Sequence, residues 1–292
     1  VNNLSTIWLC ARFNLYKWLV NPRIYALAAV IAAFSLWMFA WVSEYAAAVK
    51  VPVSPWIFPF TFTSPIMFPI YGCLTILLYC DAPFIDRHTP FLAIRTNRRN
   101  WILGQILYIV ISAFIYTVYF AGMSIIALIP NVRWMSDWGA VLKTLAYDPV
   151  GPQKYGITHL LNIADPVISS FTTVSAMGIS LALFWLVTMF VGLLILCFNV
   201  VIGGQAGVVA AGGLTFLSYF SIFVGRLAHG DVIYYFSPIN WISMFYLNWG
   251  GDPMIPSPWY AVSVLIGGIL ILSVITVYVS CKQDLDAHER RV

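Results

Sequence analysis

Residues 167–225 read VISSFTTVSAMGISLALFWLVTMFVGLLILCFNVVIGGQAGVVAAGGLTFLSYFSIFVG, an unbroken run without Asp, Glu, Lys, Arg or His. Crossing about 30 Å of hydrocarbon at about 1.5 Å per residue takes roughly 20 apolar residues, so the run is too long for one crossing helix. It divides at Asn199-Val200-Val201-Ile202-Gly203-Gly204-Gln205, where two amide side chains and two glycines favour a turn. Further uncharged runs lie at 24–43, 57–80, 101–129 and 259–281. The expected fold is therefore all-α: a polytopic membrane protein with six transmembrane helices, in one domain over residues 1–292. Composition agrees, with 61% hydrophobic and 9% charged residues against about 25% charged in a soluble domain. Disorder, nucleic-acid binding and a disulfide scaffold are excluded on the same ground.

Six crossings put both termini on one side, and the basic residues choose which. Arg12, Lys17, Arg23, Arg87, Arg95, Arg98, Arg99, Lys282, Arg290 and Arg291 fall with the termini, and Lys50, Arg133, Lys143, Lys154 and Arg226 fall opposite. The positive-inside rule makes the richer side cytoplasmic, which predicts a multi-pass protein of the cell membrane with both termini inside. Trp37, Trp41, Trp56, Trp134, Trp138, Trp241, Trp249 and Trp259 cluster where the outer interface is expected, and Trp18 and Trp101 mark the inner one. Cys10, Cys80, Cys197 and Cys281 fall on the cytoplasmic side and Cys73 inside a span, so no disulfide is expected. The apolar stretch 232–249 is broken by Ser237-Pro238. Within an outer segment 226–258 it is expected to form a re-entrant or interfacial hairpin, because a full crossing would carry the basic C-terminus outside.

Ahead of the first run, Leu4, Ile7, Trp8, Ala11, Leu15, Trp18 and Leu19 share one arc of a helical wheel. This predicts an interfacial helix within residues 1–20, along the inner leaflet. Leu9, Phe13 and Tyr16 on the opposite face call for a protein contact to cover them, and a frayed surface tail is the alternative. No cleavable signal peptide is expected, since Arg12 and Lys17 interrupt the apolar residues. Asn21-Pro22 supplies a cap and a first-turn proline for the next helix.

Residues 81–100, DAPFIDRHTPFLAIRTNRRN, form the most charged loop of the chain. Phe91, Leu92 and Ile94 beside Arg95, Arg98 and Arg99 fit a short amphipathic helix that docks on a soluble partner. Arginine binding to anionic headgroups, at about 1 kcal/mol each, is the competing explanation, but it leaves Asp81, Phe84 and Asp86 without a role. Residues 130–166 are expected to form an ordered outer loop or cap.

No G-x-S-x-G, H-E-x-x-H, C-x-x-C or G-x-x-x-x-G-K-[ST] pattern occurs, so no catalytic residue or metal site is expected and no phosphate loop for ATP. His88, His159, His229 and His288 lie in loops or the tail and are read as solvated. The predicted spans hold no ionisable group in their interiors, where an ion-coupled transporter normally keeps one; this argues against proton coupling and leaves open a sodium site of carbonyls and hydroxyls, and energy for any transport is expected from a partner. Gly203, Gly204, Gly207, Ala210, Ala211, Gly212 and Gly213 permit close helix packing, the commoner use of small residues in membranes. The competing reading is that Gly207, Ser218, Tyr219 and Ser221 line a path or a subunit interface.

This pattern resembles the permease subunit of type-2 ATP-binding-cassette exporters. The resemblance covers nearly the whole chain: the N-terminal amphipathic helix, six spans, the charged loop 81–100 and the Ser237-Pro238 break. It implies that Asp81, Phe84, Asp86, Arg87, Arg95, Arg98 and Arg99 belong to a coupling element seated on a separate ATPase subunit, and that Phe236, Ser237 and Pro238 lie near an outer gate. It also implies a dimer with a second permease copy or homologue, no cofactor in this chain, and ATP and Mg in the partner. The long outer loop 130–166 departs from the shorter connection the family leads one to expect. The function so implied is export of an amphipathic or hydrophobic substrate such as a peptide, lipid or antibiotic. The rivals are a membrane-embedded lipid-modifying enzyme and a non-transporting assembly or sensor subunit.

Overall fold

The computed structural model describes residues 3–84, 96–158, 161–163, 165–250 and 253–282. Among them the regular structure is helical, and the one strand-like pairing is a parallel bridge between Val53 and Val132. The α-helices of six residues or more are, in order, α1 (Asn3–Tyr16), α2 (Pro22–Val49), α3 (Met67–Tyr79), α4 (Arg98–Ile126), α5 (Gly139–Tyr147), α6 (Asp165–Ser170), α7 (Thr173–Val201), α8 (Ala206–Phe220) and α9 (Pro258–Lys282). Five segments are long and apolar enough to cross a membrane: α2, α4, α7, the run Ala206–Phe236 that begins with α8, and α9. The protein is membrane-embedded on that evidence.

Where helices begin and end follows from local chemistry. Asn21 caps α2, its Oδ1 accepting from the Arg23 amide at 3.0 Å, and the helix then runs past the exposed Glu44, beyond the charge-free stretch. The long run divides after α7, which includes Asn199. Gly203 (φ 92°) and Gly204 (φ 58°) take the left-handed backbone there, a conformation that costs glycine nothing.

The run 57–80, expected as one full span, is only partly an α-helix. It forms a 3-10 segment, Phe58–Thr63, and then the shorter α3. Pro59, Pro65 and Pro69 are the cause: proline lacks an amide donor and clashes with the preceding turn, so regular helix begins only where Pro69 sits in the first turn. Thirteen residues rise about 20 Å, short of the hydrocarbon thickness. The irregular backbone is tolerated because it is buried in protein. Thr61 and Thr63 donate their hydroxyls to the carbonyls of Phe58 and Phe60 at 2.7 and 2.8 Å, and Phe58, Phe62, Tyr71, Tyr116 and Phe120 surround Phe184 at centroid distances of 4.9–5.7 Å.

This aromatic cluster sits on α7, the axis of the bundle. α7 is mostly buried and α9 mostly exposed, so α9 is peripheral and holds on at close approaches such as Gly268 against Phe190. At one end of the bundle lie α1, the start of α2 and the ends of α3 and α7. The opposite end carries α5, α6 and the connecting turns. There Trp138, ahead of α5, packs on Phe60 and donates to the Phe171 carbonyl at 3.0 Å. Residues 230–246 form successive 3-10 turns, Gly230–Phe236, Pro238–Ile242 and Met244–Tyr246.

α1 packs along the first half of α4, and Leu9, Phe13 and Tyr16, for which a protein contact was expected, stay exposed. Ala11 and Asn14 are buried, while Leu4, Trp8 and Leu19 of the predicted arc stay exposed. The contact is close because position 104 is glycine, whose missing Cβ would lie 2.4 Å from that of Cys10. It is also polar: the Asn14 amide donates to Gln105 Oε1 at 2.6 Å in a buried site. Gln105→Leu is expected to lower stability by about 1–3 kcal/mol, because it leaves the Asn14 amide buried without a partner. The Asn14→Leu/Gln105→Leu pair should recover most of that loss, read as the thermal midpoint in detergent.

Candidate functional site

The last turn of α3 runs into residues 81–84, the start of the charged segment 81–100, and four elements converge on it. Ala82 and Phe84 close tight turns, donating to the carbonyls of Tyr79 (2.9 Å) and Asp81 (2.7 Å). From the start of α2, the Arg23 guanidinium reaches Asp81 Oδ2 at 2.5 Å and Cys80 Sγ at 2.9 Å. Asp81 is 58% exposed and Arg23 22%, so the ion pair contributes about 1 kcal/mol at most and serves more to set register.

The segment after α1 supplies a second tie. Lys17 Nζ donates to the Phe84 carbonyl at 3.3 Å. The Phe84 ring stands edge-on to Tyr108 of α4 at 4.8 Å, and Trp18 donates its indole N–H to the Tyr108 hydroxyl at 2.8 Å. The third tie is a single side chain, Asn199. Its amide donates to the Ala82 carbonyl at 2.7 Å and its Oδ1 accepts from the Gly207 amide at 2.7 Å, both buried. The turn between α7 and α8 is thereby bound to the end of α3.

The sequence-predicted coupling residues divide accordingly. Asp81 and Phe84 join this junction. Arg98 and Arg99 open α4, half-buried and exposed respectively. Asp86, Arg87 and Arg95 lie outside the described residues. Lys17, Trp18, Arg23, Tyr108 and Asn199 complete the junction. The signal for Asn199 was available: an amide within an apolar run is buried only where it is hydrogen-bonded.

At the opposite end Phe236 is exposed, Ser237 is fully buried, and Pro238 starts the next 3-10 turn. The following turn is tied back into the bundle. Trp241 donates to the Tyr234 carbonyl at 2.7 Å, and Ser218 of α8 donates its hydroxyl to Asn240 Oδ1. Of the four candidate path or interface residues, Ser218 therefore meets the Ser237-Pro238 segment. Ser221 turns inward, donating to the Leu217 carbonyl at 2.6 Å, and Tyr219 is exposed against Phe223. Gly207 sits against the α7 backbone, where a Cβ would lie 2.2 Å from the Ile195 carbonyl oxygen.

Among the described residues no group of three or more His, Cys, Asp or Glu is placed to hold a metal ion. No family model, curated protein or solved structure matches the chain.

Proposed function

We propose that this chain is the permease subunit of an ATP-driven exporter, working as a pair with a second copy or homologue and taking its force from a separate ATPase that binds ATP and Mg. In this reading it crosses the cell membrane six times with both termini cytoplasmic. The 3-10 segment and α3 together make the second crossing: Phe60 meets Trp138 at one end and Asp81 meets Arg23 at the other. α1 lies along the inner interface, with Leu4, Leu9 and Phe13 exposed beside Arg12 and Lys17.

The observation that carries the proposal is the junction at residues 81–84. A load applied to the charged loop reaches α2 through Arg23, α4 through Tyr108, and α7 and α8 through Asn199. Short polar ties and ring contacts transmit displacement with little slack, so two discrete packings of these helices can exchange when the loop moves. The substrate is amphipathic or hydrophobic, in keeping with an apolar, aromatic-rich bundle.

The test replaces Asp86 and Arg87 with alanine. Co-purification with the ATPase is expected to weaken, or ATP turnover to continue without transport. Unchanged behaviour in both assays removes the proposal's support.

A further inference from the structure

At the end of the bundle away from the junction, three of the five basic residues are matched to acids: Lys143 to Asp137 at 3.3 Å, Lys154 to Asp148 at 3.1 Å and Arg226 to Asp231 at 2.7 Å. The other two, Lys50 and Arg133, make no ion pair among the described residues, and both line one cavity of about 540 Å³ whose walls contain no acid. Two unmatched cations facing a single cavity attract an anion.

The cavity has a firm frame. Lys50 ends α2 in the left-handed conformation (φ 55°), its amide donating to the Ala46 and Ala47 carbonyls. The chain that follows is clasped to the chain after α4: Val53 donates to the Asn131 carbonyl and Arg133 donates back to the Val53 carbonyl, both at 2.9 Å. Asn131 is anchored in turn, its amide donating to the Ser43 carbonyl and hydroxyl at 2.9 and 3.0 Å. Ala46, Ala47, Pro52 and Pro130 supply compact walls that leave the space open.

The neighbours set the level of the site. Trp134, next to Arg133, is 71% exposed and stands edge-on to Trp56, and Ile129 and Val51 are exposed beside the cavity. Exposed tryptophan and aliphatic side chains at the end of a membrane helix belong at headgroup depth. A guanidinium offers paired N–H donors to phosphate oxygens and an ammonium adds a point charge.

We propose that Lys50 and Arg133 form a binding site for the phosphate of an anionic phospholipid. The site is independent of the transport reading, since it needs only that the protein sit in a bilayer.

The test is native mass spectrometry of the full chain with phosphatidylglycerol or phosphatidylcholine, comparing wild type with Lys50→Gln/Arg133→Gln. Wild type should retain phosphatidylglycerol in preference to phosphatidylcholine. The double variant should bind phosphatidylglycerol roughly 30-fold more weakly, a factor of about five for each cation lost, and Lys143→Gln should leave the preference intact. Equal retention of the two lipids by wild type, or an undiminished preference in the double variant, overturns the proposal. Displacement of phosphatidylglycerol by equimolar inorganic phosphate also overturns it, by assigning the site to a soluble anion. The substituted side chains are solvent-facing, and an unchanged thermal midpoint in phosphatidylcholine alone shows that the variant is folded.

Discussion

Gly207→Val is expected to abolish the folded protein or to lower its stability by about 3 kcal/mol, the upper end of the range for overpacking. The added Cβ would fall 2.2 Å from the Ile195 carbonyl oxygen and 2.6 Å from its Cα. These are backbone atoms of the central helix and cannot rotate aside. The matched control is Gly212→Ala on the same helix, where a Cβ meets nothing within 4 Å. That change should be neutral or stabilising by up to about 1 kcal/mol, since it removes only the helical cost of glycine. Thermal midpoints in detergent and the monodisperse fraction on gel filtration separate the two outcomes, and a Gly207→Val protein as stable as wild type would contradict the packing of α7 on α8.

Asn199→Ala carries the second large effect, about 3 kcal/mol of stability, because two buried backbone groups lose their partner at once and each costs about 1–3 kcal/mol unsatisfied. The carbonyl of Ala82 and the amide of Gly207 are those groups. Under the proposed function this variant also slackens the path from the charged loop to α7 and α8, so residual protein should show ATP turnover with reduced transport. An Asn199→Ala protein with an unchanged thermal midpoint would show that water satisfies the junction as well as the amide does. Gly207 and Asn199 share a hydrogen bond, so their effects are not additive in a double variant.

Much of the architecture was legible because a membrane helix must satisfy its own backbone over a fixed length, which makes uncharged runs of that length readable one at a time. The runs behind α2, α4, α7, α8 and α9 follow this rule. The run 57–80 does not: its hydropathy is that of a span, while its three prolines break the helix and leave the aromatic cluster around Phe184 to hold the irregular piece. Which face of α1 meets protein was not legible for a related reason. A helical wheel ranks faces by hydrophobicity, and α4 selected the face that carries Ala11 and the polar Asn14 because Gly104 allows contact there.

By itself the sequence determined that the protein is helical and membrane-embedded, where most of its long helices lie, and that charge gathers in residues 81–100. Only the tertiary structure decided that Asp81 turns to Arg23, that Phe84 lies on Tyr108, that Asn199 bridges Ala82 and Gly207, and that Lys50 and Arg133 face a common cavity. Hydropathy is a property of single segments summed along the chain. Pairings between residues as distant as Ala82 and Asn199 depend on which helices stand side by side, and on the few glycines that let their backbones meet.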